Sequence, residues 1–202
     1  MKKTLIVGAI LSALSFNMFA ETPSFDYVNI GYVSNIGGIN KFDGFGIKGN
    51  FELNESFFIN AEYQSVDSKA FGFNANGDYN RFGTRDTVIA FGIGYKKDIT
   101  ADSTFFTELD GVKAKVGVGD FFSSKENGYQ VVVGLRSNIN SKLEVKMDVN
   151  YLNLDHVDFI YRDDTLFQLG GLYKFNKSVG WYFDIDTDFS DSSYNTGIRF
   201  SF

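Results

Sequence analysis

The chain has 202 residues, a formal charge of −6, no Cys, one His and one Pro, with aromatics at 17%. That length suits one domain, and a hydrophobic share of 44% excludes a disordered chain. The lack of Cys excludes a disulfide scaffold, a Cys-ligated zinc site and a thiol nucleophile, the acidic balance argues against a general nucleic-acid binder, and no cofactor or metal is expected.

Residues 1–20 read as a secretory signal peptide rather than as part of the fold. Lys2 and Lys3 form a charged start, residues 5–14 are a short apolar run, and Ala20 would be the last residue before cleavage. Met18 is larger than the small residue usual at its position, but the apolar run is shorter than the ~20 residues of a membrane-spanning helix. The expected mature domain is 21–202, with 17 basic against 25 acidic side chains.

Period-2 alternation, the mark of a strand with two unlike faces, then runs through the domain. Residues 24–35 are the least regular, with Val28, Ile30 and Tyr32 against Asn29 and Gly31. Residues 42–54 set Phe45, Ile47, Phe51 and Leu53 against Lys48, Asn50 and Glu52. Residues 57–66 set Phe57, Ile59 and Tyr63 against Asn60, Glu62 and Gln64, and residues 87–97 set Ile89, Phe91, Ile93 and Tyr95 against small residues and Lys96. Residues 105–111 oppose Phe105 and Leu109 to Glu108 and Asp110, and residues 129–137 oppose Tyr129, Val131, Val133 and Leu135 to Gln130 and Arg136. Residues 143–154 give Leu143, Val145, Met147, Val149 and Tyr151 against Glu144, Lys146, Asp148 and Asn150. Residues 166–176 give Phe167, Leu169, Tyr173 and Phe175 against Gln168 and Lys174. Residues 179–189 give Trp181, Phe183 and Ile185 against Asp184, Asp186 and Asp188. Residues 194–202 close the series with Tyr194, Ile198, Phe200 and Phe202 against Asn195, Arg199 and Ser201.

These are ten predicted strands, with eight as the alternative count. Most exceed the ~5–6 residues of globular strands and suit the ~9–11 of a tilted membrane strand. Aromatics gather near both strand ends, as two interfacial girdles require. Connections alternate between short turns and longer loops at 35–41, 67–86, 113–126 and 155–164. In lipid each unpaired backbone group costs several kcal/mol, so strands span only as a closed barrel. The expected fold is all-β, a closed antiparallel up-and-down transmembrane β-barrel with apolar faces toward lipid.

The leader, the alternation and the ending Tyr194-Asn195-Thr196-Gly197-Ile198-Arg199-Phe200-Ser201-Phe202 resemble small Gram-negative outer-membrane barrels, in the broad OmpA/OmpX-like, porin-family sense. The resemblance implies export to the outer membrane and contact with its lipid and lipopolysaccharide. It also implies that Ile198, Phe200 and Phe202 serve as a signal for the barrel assembly machinery.

Hairpin register predicts ion pairs inside the lumen. Lys48 should face Glu62, Arg136 should face Glu144, and Asp184 should face Arg199. A lumen plugged by such pairs is expected, because open aqueous channels appear only at ~16 strands. Asp184, Asp186 and Asp188 form an inward acidic ladder that would favour cations if a narrow path existed, so a weakly cation-preferring channel is the second reading. A third is a rim hydrolase using His156. Its Asp155-His156-Val157-Asp158 order is not the Asp-x-His of the omptin proteases, and no catalytic residue is assigned. The segments 67–86 and 113–126, with aromatics beside basic residues, read either as the site for a surface ligand or as strand extensions above the membrane that pack on one another.

Overall fold

The computed structural model describes residues 22–35, 42–73, 79–118, 122–154, 164–189 and 191–202. Ten strands run in chain order: β1 (Tyr27–Asn35), β2 (Phe42–Glu52), β3 (Phe57–Phe73), β4 (Tyr79–Asp98), β5 (Ser103–Val118), β6 (Phe122–Asn138), β7 (Leu143–Leu154), β8 (Asp164–Lys174), β9 (Val179–Thr187) and β10 (Ser192–Ser201). Each pairs antiparallel with its sequence neighbours, and β1 pairs with β10, closing the barrel. The count of ten therefore holds over eight. Every strand has two partners, which leaves no unpaired edge to meet hydrocarbon.

Four tight turns at one end share a device. The amide of Leu53, Ile99, Ile139 or Phe175 donates to the carbonyl four residues on, at 2.8–2.9 Å. In three of them an Asn carboxamide holds the next bend: Asn54 Oδ1 accepts from Ser56 and Phe57, Asn140 Oδ1 from Lys142 and Leu143, and Asn176 Oδ1 from Ser178 and Val179. Such Asx turns imitate a backbone turn with a side chain. In the fourth, the Thr100 hydroxyl donates to Asp102.

The faces invert the pattern of a water-soluble protein. Phe91 is 62% exposed, Leu109 57% and Leu169 55%, whereas Arg136 is 2% exposed and Glu108 and Glu144 are 3%. An apolar outer band with a polar interior is the arrangement that hydrocarbon requires. Rings border the band at both ends. Tyr129–Tyr151, Phe45–Tyr63 and Tyr32–Tyr194 lie at the end away from the tight turns, and Phe57–Tyr95 and Tyr173–Phe175 lie at the turn end.

One expectation about the connections needs correction. Segments 67–86 and 113–126 are mostly strand, since β3–β4 pairing continues to Phe73↔Tyr79 and β5–β6 pairing to Val118↔Phe122. Beyond the apolar band the alternation persists with its sense reversed. Val112, Ala114 and Val116 are buried inward, while Lys113 and Lys115 are exposed outward. The last connection, residues 188–191, is a tight turn as well. Thr187 pairs with Ser192, Asp188 Oδ1 accepts from the Asp191 amide at 2.6 Å, and Phe189 takes a left-handed φ of 73°.

Candidate functional site

The lumen is the site where the sequence concentrates its charge, and its two halves differ. At the turn end, Phe25 leaves the wall just before β1 and packs on Phe58, Phe106 and Val132. Its ring lies 4.8 Å from that of Phe58 and 5.7 Å from that of Phe106. Inward glycines make room. A Cβ on Gly94 would enter the Phe58 ring, and one on Gly134 would lie 2.6 Å from Phe106. The segment is tied down on both sides: the Phe25 amide donates to Glu52 Oε1 at 2.7 Å, and the Glu52 amide donates to Asp26 Oδ1 at 2.6 Å. Lys96 Nζ sits 2.6 Å from Glu52 Oε2.

Arg136 caps this aromatic floor. Its guanidinium carbon stands 4.5 Å from the Phe25 ring centroid and 5.0 Å from that of Tyr27, while that of Arg199 stands 4.0 Å from Tyr27. Cations over ring faces are stabilised by the ring quadrupole, most where water is excluded. One carboxylate serves three cations here. Glu144 accepts from Arg136 Nε at 2.9 Å, from Arg199 Nη1 at 3.2 Å, and pairs with Lys174 Nζ at 3.5 Å. Arg199 Nε also donates to Asn29 Oδ1 at 2.8 Å, and Lys174 Nζ donates to Asn138 Oδ1 at 2.7 Å.

Above the floor the balance of charge changes sign. Lys48 lies 3.3 Å from Glu108 and 3.7 Å from Glu62. Lys146 lies 3.4 Å from Asp148 and donates to Gln168, whose amide nitrogen donates to Asp186 at 2.5 Å. Asp110 and Asp184 are buried at this level as well. The turn end thus holds Lys96, Arg136, Lys174 and Arg199 against Glu52 and Glu144. The upper lumen holds Lys48 and Lys146 against Glu62, Glu108, Asp110, Asp148, Asp184 and Asp186. Between them lies a cavity of about 190 Å³ with Phe25, Phe106 and Arg136 among its lining and Lys48, Lys146 and Asp186 in its walls. That is below the ~300–1,000 Å³ of typical small-molecule sites.

The predicted pairs fall into place unevenly. Lys48 faces Glu62 in register. Arg136 faces Lys146, not Glu144, because the Asn140 turn centres the hairpin one residue later and pairs Asn138 with Glu144. The Arg136–Glu144 ion pair forms nonetheless, diagonally. Asp184 faces Asn195, and Arg199 faces Gly180, because the last turn closes two residues earlier than expected. Arg199 therefore finds Glu144 instead of Asp184. The acidic ladder has two lumen rungs, Asp184 and Asp186, while Asp188 is a turn carboxylate. Ile198 and Phe200 face outward beside Ile30 and Val28, and Phe202 is 76% exposed with its amide on the Asp26 carbonyl at 3.2 Å. His156, the cleavage region 1–20 and most of 155–164 lie outside the described residues. Among the described residues no group of three His, Cys, Asp or Glu is placed to hold a metal ion.

Sequence reasoning missed Phe25, Tyr27, Phe58 and Phe106. The doublets Phe57-Phe58 and Phe105-Phe106 carried the signal, since adjacent strand residues point to opposite faces and one ring of each must enter the lumen.

Toward the other end, Asp67 and Arg85 pair on the outer surface of β3–β4, with Nε to Oδ1 at 2.7 Å and Nη2 to Oδ2 at 3.2 Å. The hydrogen bonds from Arg85 hold the Asp67 carboxyl below its ordinary value.

No protein-family model and no curated protein matches the sequence. Solved structures do match in shape. The NanC porin is 13% identical, with 87% of this chain and 100% of that one covered at a TM-score of 0.52. The translocator domain of the autotransporter NalP from Neisseria meningitidis is 12% identical, with 100% and 95% covered at 0.50. The outer membrane protein OprG from Pseudomonas aeruginosa is 9% identical, with 90% and 98% covered at 0.50. At these identities the likeness is one of fold: a closed antiparallel β-barrel of the kind seen in outer-membrane proteins, built in this chain from ten strands.

Proposed function

We propose that the protein is a non-enzymatic integral outer-membrane barrel whose lumen is plugged at the turn end and whose long hairpins meet ligands or other envelope components. The observation that carries this reading is the floor built by Phe25, Phe58, Phe106 and Arg136 over Glu144. Its rings are in mutual contact, and its cations are neutralised or stacked, so an ion crossing there would have to displace packed side chains. The short turns then face the periplasm and the hairpins face outward. The outward Ile198, Phe200 and Phe202 suit recognition of the last strand by the barrel assembly machinery.

Planar-bilayer recording tests the plug. The native protein should give no stable conductance steps, and Phe25→Ala should introduce them. Stable steps from the native protein that Asp186→Asn alters would replace this reading with the second one, a narrow cation-preferring channel. The excess of carboxylates in the upper lumen favours that alternative. A heat-modifiability gel on the purified membrane fraction checks the barrel itself, since a folded barrel migrates differently before and after boiling.

A further inference from the structure

Lys146 and Gln168 meet on the lumen side of β7–β8. Lys146 stands opposite Gly170, one row from the pair Asp148↔Gln168. A Cβ on Gly170 would lie 3.3 Å from Lys146 Cε and 2.1 Å from Asp184 Oδ1, so the missing side chain lets the lysine lean over β8. Its Nζ then donates to Gln168 Oε1. Two carboxylates flank this contact. Asp148 Oδ2 is 3.4 Å from Nζ, and Asp186 Oδ1 accepts from Gln168 Nε2 at 2.5 Å. An amine therefore rests on a carboxamide carbonyl, with one acid beside the attacking nitrogen and another beside the nitrogen that would leave. Arg136 also faces Lys146 directly across β6–β7, and like charges so opposed destabilise a sheet. Lys146, Asp148, Gln168 and Asp186 all line the cavity, through which a small product can depart.

We propose that Lys146 and Gln168 join in a self-formed isopeptide bond that staples β7 to β8. Asp148 takes a proton from the Lys146 ammonium, and the neutral amine attacks Gln168 Cδ. The Nζ–Cδ bond forms as the carbonyl electron pair moves to Oε1, and the return of that pair breaks the Cδ–Nε2 bond. Two protons leave Nζ and two reach Nε2, carried by Asp148 and Asp186, so an ammonium ion departs and both acids end as they began. Nothing is oxidised or reduced. A deprotonated lysine is a competent nucleophile, and reactants held in the right geometry reach effective molarities of about 10⁵–10⁸ M. The product keeps the β7–β8 pairing and removes the charge opposed to Arg136. The inference goes beyond the functional reading and needs only the folded barrel.

Mass spectrometry of the full-length protein reads the bond directly. Chain held unfolded in urea from synthesis onward should have the full mass of its sequence, and the same chain folded into detergent micelles should lose about 17 Da as ammonia leaves. Trypsin should then fail to cut after Lys146 and should release residues 143–162 joined to 163–174. Lys146→Arg and Gln168→Leu should keep the full mass while remaining heat-modifiable. Asp148→Asn should slow the mass loss by about 10²-fold, the contribution typical of one general base. Full mass and normal cleavage after Lys146 in the folded barrel overturn the proposal. So does a gain of about 1 Da at Gln168, which would make water the nucleophile, and so does an unchanged mass loss in Lys146→Arg. Where a variant loses heat-modifiability, the presence or absence of the joined peptide in the native chain decides the point.

Discussion

Glu144 is the residue on which the turn end of the lumen depends. It is 3% exposed and forms ion pairs with Arg136, Arg199 and Lys174, which come from β6, β10 and β8. Replacing it leaves buried cations without their counterion, and breaking a buried pair costs about 3–5 kcal/mol. Glu144→Gln should lower the urea midpoint of the folded barrel accordingly, measured by loss of the compact gel band. Lys48→Gln should cost less, because Lys48 is a quarter exposed and its partner Glu62 is exposed to a similar extent. That Lys48, Arg136 and Glu144 face inward was legible from strand parity alone. Which acid Arg199 meets was not, because an arginine spans two rows of a sheet and selects a partner by side-chain reach as well as by register.

At the level of elements, turns set the register and the alternation sets the faces. Replacing Asn140 by Ala removes the one side-chain oxygen that accepts from two backbone amides and should cost about 1–2 kcal/mol on the scale of ordinary hydrogen bonds. Asn54→Ala and Asn176→Ala should behave alike, while Ser141→Ala, one position away and outside the Asx bonds, should be near neutral; urea midpoints of the four variants decide this. The ten strands were readable because each crosses the apolar band with one greasy face. The upper parts of β3 to β6 were readable only as one of two alternatives. There the code reverses, with Val112, Ala114 and Val116 inward and lysines outward, as suits a sheet standing in water. A pattern sought for lipid contact stops at that boundary. The two misplaced registers have a related cause: the Asn140 turn and the left-handed Phe189 set loop lengths through local conformation, which hydrophobic periodicity does not encode.

Across the whole molecule, the lumen is electrically polarised along its axis. Cations outnumber acids in the turn-end half, and acids outnumber cations three to one in the half above. Acid-lined clefts concentrate cations, so the upper lumen should attract them whether or not they pass. Opening the floor makes this measurable. A Phe25→Ala/Phe106→Ala barrel in a potassium chloride gradient should show a reversal potential on the cation side, and adding Asp184→Asn and Asp186→Asn should move it toward zero. A potential on the anion side would mean that Arg136 and Arg199 dominate the path.

The floor is assembled from both extremes of the sheet. Tyr27 and Phe25 come in with β1, Arg199 with β10, and Phe202 reaches Asp26 across the same seam. A partly zipped sheet would hold these groups apart, so the cork can seat only after the first and last strands meet. Biogenesis intermediates arrested before that step should therefore leak, and tightness against leakage would report completion of the seam.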